Sequence, residues 1–201
     1  MITTIIFDYG GVLGSDATEW STRFKDIARI LKLTPAQLDA LWKSMWPALG
    51  TGHVSLNEFW RAALKKSGKK EKRGTLMNIY RRNIFLNVHM LDMVLTLKKK
   101  GFILALLANE SREGMKMKKE KFSLDKVFDT IYCSADLGVV KPDPHIFKYV
   151  MNDLKTPPEK ILFIDDRKEN IRAAKKLGIR TILFRNDAHA RKALHKLHLL
   201  P

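Results

Sequence analysis

Five short, largely apolar runs, spaced by segments of helical period, constrain this chain more than any other feature. They are Thr3 to Phe7, Phe102 to Ala108, Thr130 to Cys133, Ile161 to Ile164 and Arg180 to Phe184, each of strand length. The longest of them are apolar throughout, where a strand with one wet face would alternate. Between the last four lie helical patterns around Glu113–Lys119, Pro144–Leu154 and Lys168–Leu177. Strands buried on both faces and alternating with helices make a parallel sheet, the signature of the α/β class.

The first run stands apart from the others. Between it and Phe102 the sequence reads as helix from about residue 17 to about residue 96. Thr34-Pro35 has the form of an N-cap with proline at the first helical position, ahead of Leu38, Leu41, Trp42 and Met45 at helical spacing. Ser55 followed by Glu58 is a capping-box pattern opening the helix of Phe59, Trp60, Ala63 and Leu64. Gly68 to Gly74 reads as a charged loop, and the helix of Leu91 to Leu97 stops at Lys100-Gly101. Trp20, Trp42, Trp46 and Trp60 fall where the core of such a segment would be. A chain of 201 residues accommodates one full domain carrying a smaller insert. The expected architecture is therefore a Rossmann-like parallel-sheet core, residues 1–14 and 88–201, with an all-helical cap, residues 15–87, inserted after the first strand.

Lys and Arg total 37 against 21 Asp and Glu, a formal charge of +16 and a pI near 10.0. Such a field attracts anions. The basic clusters, such as Lys116 to Lys121 and Arg191 to Lys196, are spread along helical patterns with few aromatics between them. That distribution reads as solvated helix faces that steer small anions, not as a specific nucleic-acid surface. No run approaches the ~20 apolar residues of a membrane span, and Cys133 is the single cysteine, which excludes an internal disulfide framework and a multi-cysteine zinc site. A soluble, cytoplasmic protein is expected.

In open α/β sheets ligands bind beyond the carboxyl ends of the strands, near the topological switch point. There the sequence places Asp8-Tyr9-Gly10-Gly11, Ala108-Asn109-Glu110-Ser111, Lys141-Pro142 and Asp165-Asp166-Arg167. Carboxylates gathered at one edge repel unless a cation sits among them, and an all-oxygen donor set favours magnesium. A lysine beside magnesium and an aspartate suits phosphoryl transfer, where positioning and charge neutralisation do most of the work.

Four motifs in order, Phe7-Asp8-Tyr9-Gly10-Gly11-Val12-Leu13, Leu106-Leu107-Ala108-Asn109, Lys141-Pro142-Asp143-Pro144 and Phe163-Ile164-Asp165-Asp166-Arg167 to Asn170, resemble those of the haloacid dehalogenase superfamily over about residues 1–187. The segment Gly52 to Trp60 resembles the cap of the branch that holds sugar-phosphate phosphatases and the amino-terminal phosphatase domain of epoxide hydrolases. The resemblance implies that Asp8 is a nucleophile that becomes an aspartyl-phosphate. It implies Mg2+ held by Asp8, the Gly10 carbonyl and Asp166, with Asp165 as a further or water-mediated ligand. Lys141 would neutralise Asp8 and the transferring group, and the backbone N–H groups around Tyr9, Gly10, Ala108 and Asn109 would receive its oxygens. The substrate implied is a small phosphorylated metabolite.

Two departures from the family pattern stand out. Gly10 occupies the position where the family's phosphatases usually carry a second aspartate as general acid/base, a function worth ~10²–10⁴ in rate. Ala108 replaces a Ser or Thr that binds a phosphoryl oxygen; Ser111 is a candidate to swing in, and His53 a candidate proton donor. Two other readings stand beside the phosphatase: a 2-haloacid dehalogenase, which needs no metal and carries non-acidic residues in place of Asp165-Asp166, and a binding protein that keeps the fold without turnover.

Overall fold

The computed structural model describes residues 1–14, 25–70 and 73–200. Five strands form one parallel sheet: β1 Thr4–Phe7, β2 Ile103–Ala108, β3 Thr130–Cys133, β4 Ile161–Asp165 and β5 Arg180–Leu183, in the order β3-β2-β1-β4-β5. The α/β class and the helical insert after the first strand are as the sequence predicts. Alternation along each strand builds two cores. Ile5, Phe7, Leu104, Leu106, Leu162 and Ile164 face one side, and Ile6, Ala105, Leu107, Ile161 and Phe163 face the other. Period two thus operates inside runs that read as uniformly apolar, because both faces are covered.

Between β1 and β2 lie α1 Lys25–Leu31, α2 Pro35–Gly50, α3 Leu56–Ser67, α4 Arg73–Arg82 and α5 Val88–Lys99. Thr34 and Gln37 close one capping box, with N–H···O distances of 3.2 and 2.8 Å. Ser55 and Glu58 close a second at 3.1 and 2.8 Å. Gly68 ends α3 in the left-handed region, φ +64°. The charged loop is shorter than the sequence suggests, since Arg73 and Gly74 already belong to α4. Trp60 and Trp42 are buried, and Trp46 stacks on Trp42 with centroids 5.3 Å apart; Trp20 lies outside the described residues.

The second half contains α6 Arg112–Phe122, α7 Leu124–Val127, α8 Ser134–Leu137, α9 Pro144–Asp153, α10 Lys168–Lys176 and α11 Asp187–Lys196. The sequence marks Arg191 to Lys196 as a basic cluster of helical pattern but does not bound α11, whose fully buried residues, Ala190 and Leu194, give a narrow apolar stripe among charges. No helix among the described residues is long and apolar enough to cross a membrane.

Candidate active site

Register fixes the site. Phe7 pairs with Leu106 on one side and Ile164 on the other, so Asp8 emerges beside Leu107 and Asp165. The Asp8 N–H donates to the Ile164 carbonyl at 2.9 Å, continuing the ladder by one bond. The chain runs from β1 outward to β3 on one side and then to β4 and β5 on the other, so the gap between β1 and β4 is the topological switch point. Both carboxylate-bearing strand ends border it.

Lys141 fills the space between them. Its Nζ lies 2.8 Å from Asp8 Oδ1 and donates to Asp165 Oδ2 and to the Leu107 carbonyl, each at 2.8 Å. The side chain is about 1% exposed, so the ammonium is fully desolvated. Burial alone would lower its pKa, but Asp8 and Asp165 overcome that, and the ammonium is held charged. Burial pushes the Asp8 carboxyl up to about 7, with Lys141 pulling against the rise and Asp165 and Asp166 adding to it.

Asn109, at the end of β2, places that lysine. Its Oδ1 accepts from the Lys141 N–H and its Nδ2 donates to the Lys141 carbonyl, both at 2.8 Å. This double clamp on a residue 32 positions away is a side-chain role that the sequence reading, which looked to the N–H groups near Asn109, did not contain. Asn170, which closes the fourth motif, has a role there that the sequence does not assign. Its Nδ2 lies 3.0 Å from both oxygens of Asp165, whose Oδ1 also accepts from the Arg167 N–H at 2.8 Å. Asp165, fully buried, therefore has both oxygens engaged by protein donors.

Asp8, Asp165 and Asp166 offer carboxylate oxygens that all lie within 4.8 Å of one another. Three carboxyl groups crowd around one buried ammonium, and every donor is a hard oxygen. That set fits a divalent cation such as magnesium. Gly11 crosses directly over Asp166: at φ +73°, a Cβ there would sit 2.3 Å from Asp166 Oδ2. Glycine is needed at that position on both counts.

Several candidates resolve differently. Ser111 does not replace the hydroxyl missing at Ala108. It is buried, caps α6 by accepting from the Gly114 N–H at 3.1 Å, and donates to Glu110 Oε1 at 3.1 Å. His53 is exposed in the α2–α3 loop, with Nδ1 2.8 Å from Thr51 Oγ1. Cys133 is buried, and burial together with nearby Glu110 pushes its thiol up to about 12, as befits a packing residue. Tyr9 is almost wholly buried, so only its backbone N–H, 2.6 Å from Asp8 Oδ1, belongs to the site edge.

Residues 5–184 match the haloacid dehalogenase-like hydrolase family model. The chain belongs to that family. Over 116 residues it is 34% identical to rat bifunctional epoxide hydrolase 2, an alignment covering 56% of this chain and 21% of that protein. The chain thus matches only about a fifth of that relative's length. It is 28% identical over 209 residues to the D-ribitol-5-phosphate phosphatase of Bacteroides thetaiotaomicron, covering 96% of this chain and 97% of that enzyme. A HAD family enzyme of Bacteroides thetaiotaomicron, solved with magnesium and inorganic phosphate, superposes with a TM-score of 0.74 at 25% identity, covering 92% and 95% of the two chains. This member of the hydrolase family therefore has phosphatase relatives and a structural neighbour that holds magnesium.

Proposed function

We propose that this hydrolase is a magnesium-dependent phosphatase acting on a small phosphorylated metabolite, with a sugar or polyol phosphate as the best match. The observation that carries the reading is Asp8 held 2.8 Å from the buried Lys141 ammonium, at the edge of a carboxylate triad within 4.8 Å. The likeness to a ribitol-phosphate phosphatase along nearly the full length of both chains supports the substrate class.

In this reading Asp8 attacks phosphorus, the bond to the leaving oxygen breaks, and an aspartyl-phosphate forms that water then cleaves. Lys141 neutralises Asp8 and the phosphoryl oxygens, while the N–H groups of Tyr9, Gly10, Ala108 and Asn109 receive those oxygens. Asp8, Asp166 and the Gly10 carbonyl would hold Mg2+, with Asp165 joining through water while it anchors Lys141 and Asn170. The bound ion supplies charge neutralisation for the transferring group. Calorimetric titration of the wild type with magnesium should show one site, absent in Asp166→Ala; full activity in excess chelator would sink the metal assignment.

Gly10 leaves the departing oxygen without a carboxylic acid. Aryl phosphates, whose leaving groups need no proton, should then react much faster than alkyl phosphates. The left-handed glycine in the turn is Gly11, so an aspartate at position 10 demands no strained backbone. Gly10→Asp is expected to raise the alkyl rate, approaching ~10²-fold, the low end for general acid catalysis. Equal native rates on aryl and alkyl esters would overturn this, as would a folded Gly10→Asp protein without gain. A binding protein without turnover would show no rate on either ester.

The same reading assigns residues 1–14 and 88–201 to the catalytic core and 15–87 to a cap that closes over the site. It is supported by the two crossings lying side by side: Gly14 bridges Leu86, and the Asn87 N–H donates to the Leu13 carbonyl at 2.7 Å. Cytoplasmic location is part of this reading, supported by a lone, buried, unbridged cysteine. The positive surface serves to attract small anions. Mobility shifts with DNA or RNA at ~0.15 M salt should show only sequence-independent binding of ~10⁻⁴–10⁻⁶ M; a sequence-selective nanomolar complex would contradict it.

A further inference from the structure

Tyr9 follows the nucleophile in sequence, yet its side chain points away from the site chemistry and into the junction between core and cap. Its hydroxyl donates to the Phe85 carbonyl at 2.8 Å, on the strand of chain by which the cap returns to the core. Its ring lies so close to Gly14, on the outgoing crossing, that a Cβ there would sit 2.4 Å from Tyr9 Cε1. Its own carbonyl accepts from the N–H groups of Leu13 and Gly14 at 3.0 and 2.8 Å, folding residues 9–14 into one tight turn. Both crossings therefore touch one aromatic side chain.

The ring is also held from the core side. The Lys118 ammonium of α6 lies 4.7 Å from its centroid, and that ammonium is paired with Glu110, which follows Asn109 at the end of β2. Both members of the pair are buried, so the ring sits against a fixed cation whose cost of burial the partner carboxylate and the ring help to offset. From β2 to the returning crossing the contacts run Glu110, Lys118, Tyr9, Phe85. At the other end of the same residue, the Tyr9 N–H lies 2.6 Å from Asp8 Oδ1.

We propose that Tyr9 is a positioning residue that couples the cap's two crossings to the nucleophile loop, so that cap placement is transmitted to Asp8 through one side chain. The proposal rests on the phosphatase reading for its kinetic consequence only; the mechanical coupling stands apart from it. A substrate whose body reaches the cap needs that coupling. A minimal phosphoryl donor such as acetyl phosphate, engaged almost wholly by its phosphoryl group, needs it far less.

Tyr9→Phe removes the hydroxyl and keeps the ring, the Lys118 contact and the backbone. Three measurements on the full chain decide the matter: amide hydrogen exchange at Gly14 and Asn87, calorimetric magnesium titration, and kcat and KM on ribitol 5-phosphate and acetyl phosphate. One hydrogen bond of ordinary strength corresponds to about three- to tenfold, so exchange at both crossings should quicken by that factor and kcat/KM on the polyol phosphate should fall by it. Magnesium affinity should stay within about twofold, below what loss of a hydrogen bond produces, and the acetyl phosphate rate should fall by less than the polyol phosphate rate. Unchanged exchange at Gly14 and Asn87 would overturn the coupling, and so would equal loss on the two phosphates. A wild type inactive on both would defeat the phosphatase reading instead, while the exchange data would still decide whether Tyr9 links the crossings.

Discussion

Asp8→Asn is expected to fold as the wild type does and to lose turnover by roughly 10⁴–10⁶-fold, the scale on which removal of a covalent nucleophile acts. Folding should survive because the amide keeps the carboxylate's shape and can still accept from the Tyr9 N–H, 2.6 Å away in the native chain. The Lys141 ammonium keeps two other acceptors, Asp165 Oδ2 and the Leu107 carbonyl. The change even relieves a conflict, since burial and the neighbouring Asp165 and Asp166 hold the native Asp8 carboxyl up near 7. Activity should vanish because an amide cannot attack phosphorus. Circular dichroism and denaturant melts would establish the fold, and an aryl phosphate would report the rate. A variant that melts normally and turns over at the native rate would remove Asp8 from the mechanism.

Much of this site can be read from the sequence because strand ends carry it. Asp8 and Asp165 each follow an apolar run, and parallel register alone brings such positions to one edge of the sheet. Lys141 is harder, since it sits in a loop that no periodicity places; it was found through motif order. The clamps are harder still. Asn109 holding both backbone groups of Lys141, and Asn170 spanning Asp165, are contacts across 32 and 5 positions in irregular or cap segments, where spacing gives no signal. Nothing in the sequence pairs Glu110, in a strand-end segment, with Lys118, in a basic cluster that reads as a solvated helix face. Lys118 stands in a run of basic residues none of which is as buried, and burial separates it from them. In the fold, the bounds of α11 are hard to read for a related reason, because a ten-residue helix with two fully buried side chains shows little but its charges. Ser111 illustrates the opposite error: a hydroxyl near the site was credited with chemistry when its position, three residues before the Gly114 N–H, already made it a helix cap.

The other large effect is on stability. Lys141→Met should destabilise the protein by about 3–5 kcal/mol, the cost of breaking a buried ion pair from one side. Methionine matches the lysine stem in volume and can keep its packing against the Phe163 ring, which lies 5.4 Å from the native ammonium. The defect is therefore electrostatic and not a cavity. Three acceptors lose a donor at once: Asp8 Oδ1, Asp165 Oδ2 and the Leu107 carbonyl. They are not affected alike. Asp165 retains Asn170 and the Arg167 N–H, whereas Asp8 retains the Tyr9 N–H and now faces Asp165 and Asp166 with no cation between. Most of the loss should thus reside in the Asp8 charge, and adding Asp8→Asn should return a substantial part of it. The test is a denaturant-unfolding cycle on the wild type, the two single variants and the double variant, all in chelator so that added metal does not mask the charge. The double variant is expected to be more stable than Lys141→Met, a coupling opposite in sign to simple addition of two losses. A Lys141→Met protein within about 0.5 kcal/mol of wild type, the range of an ordinary surface change, would mean that the ammonium does not sit between these carboxylates in solution.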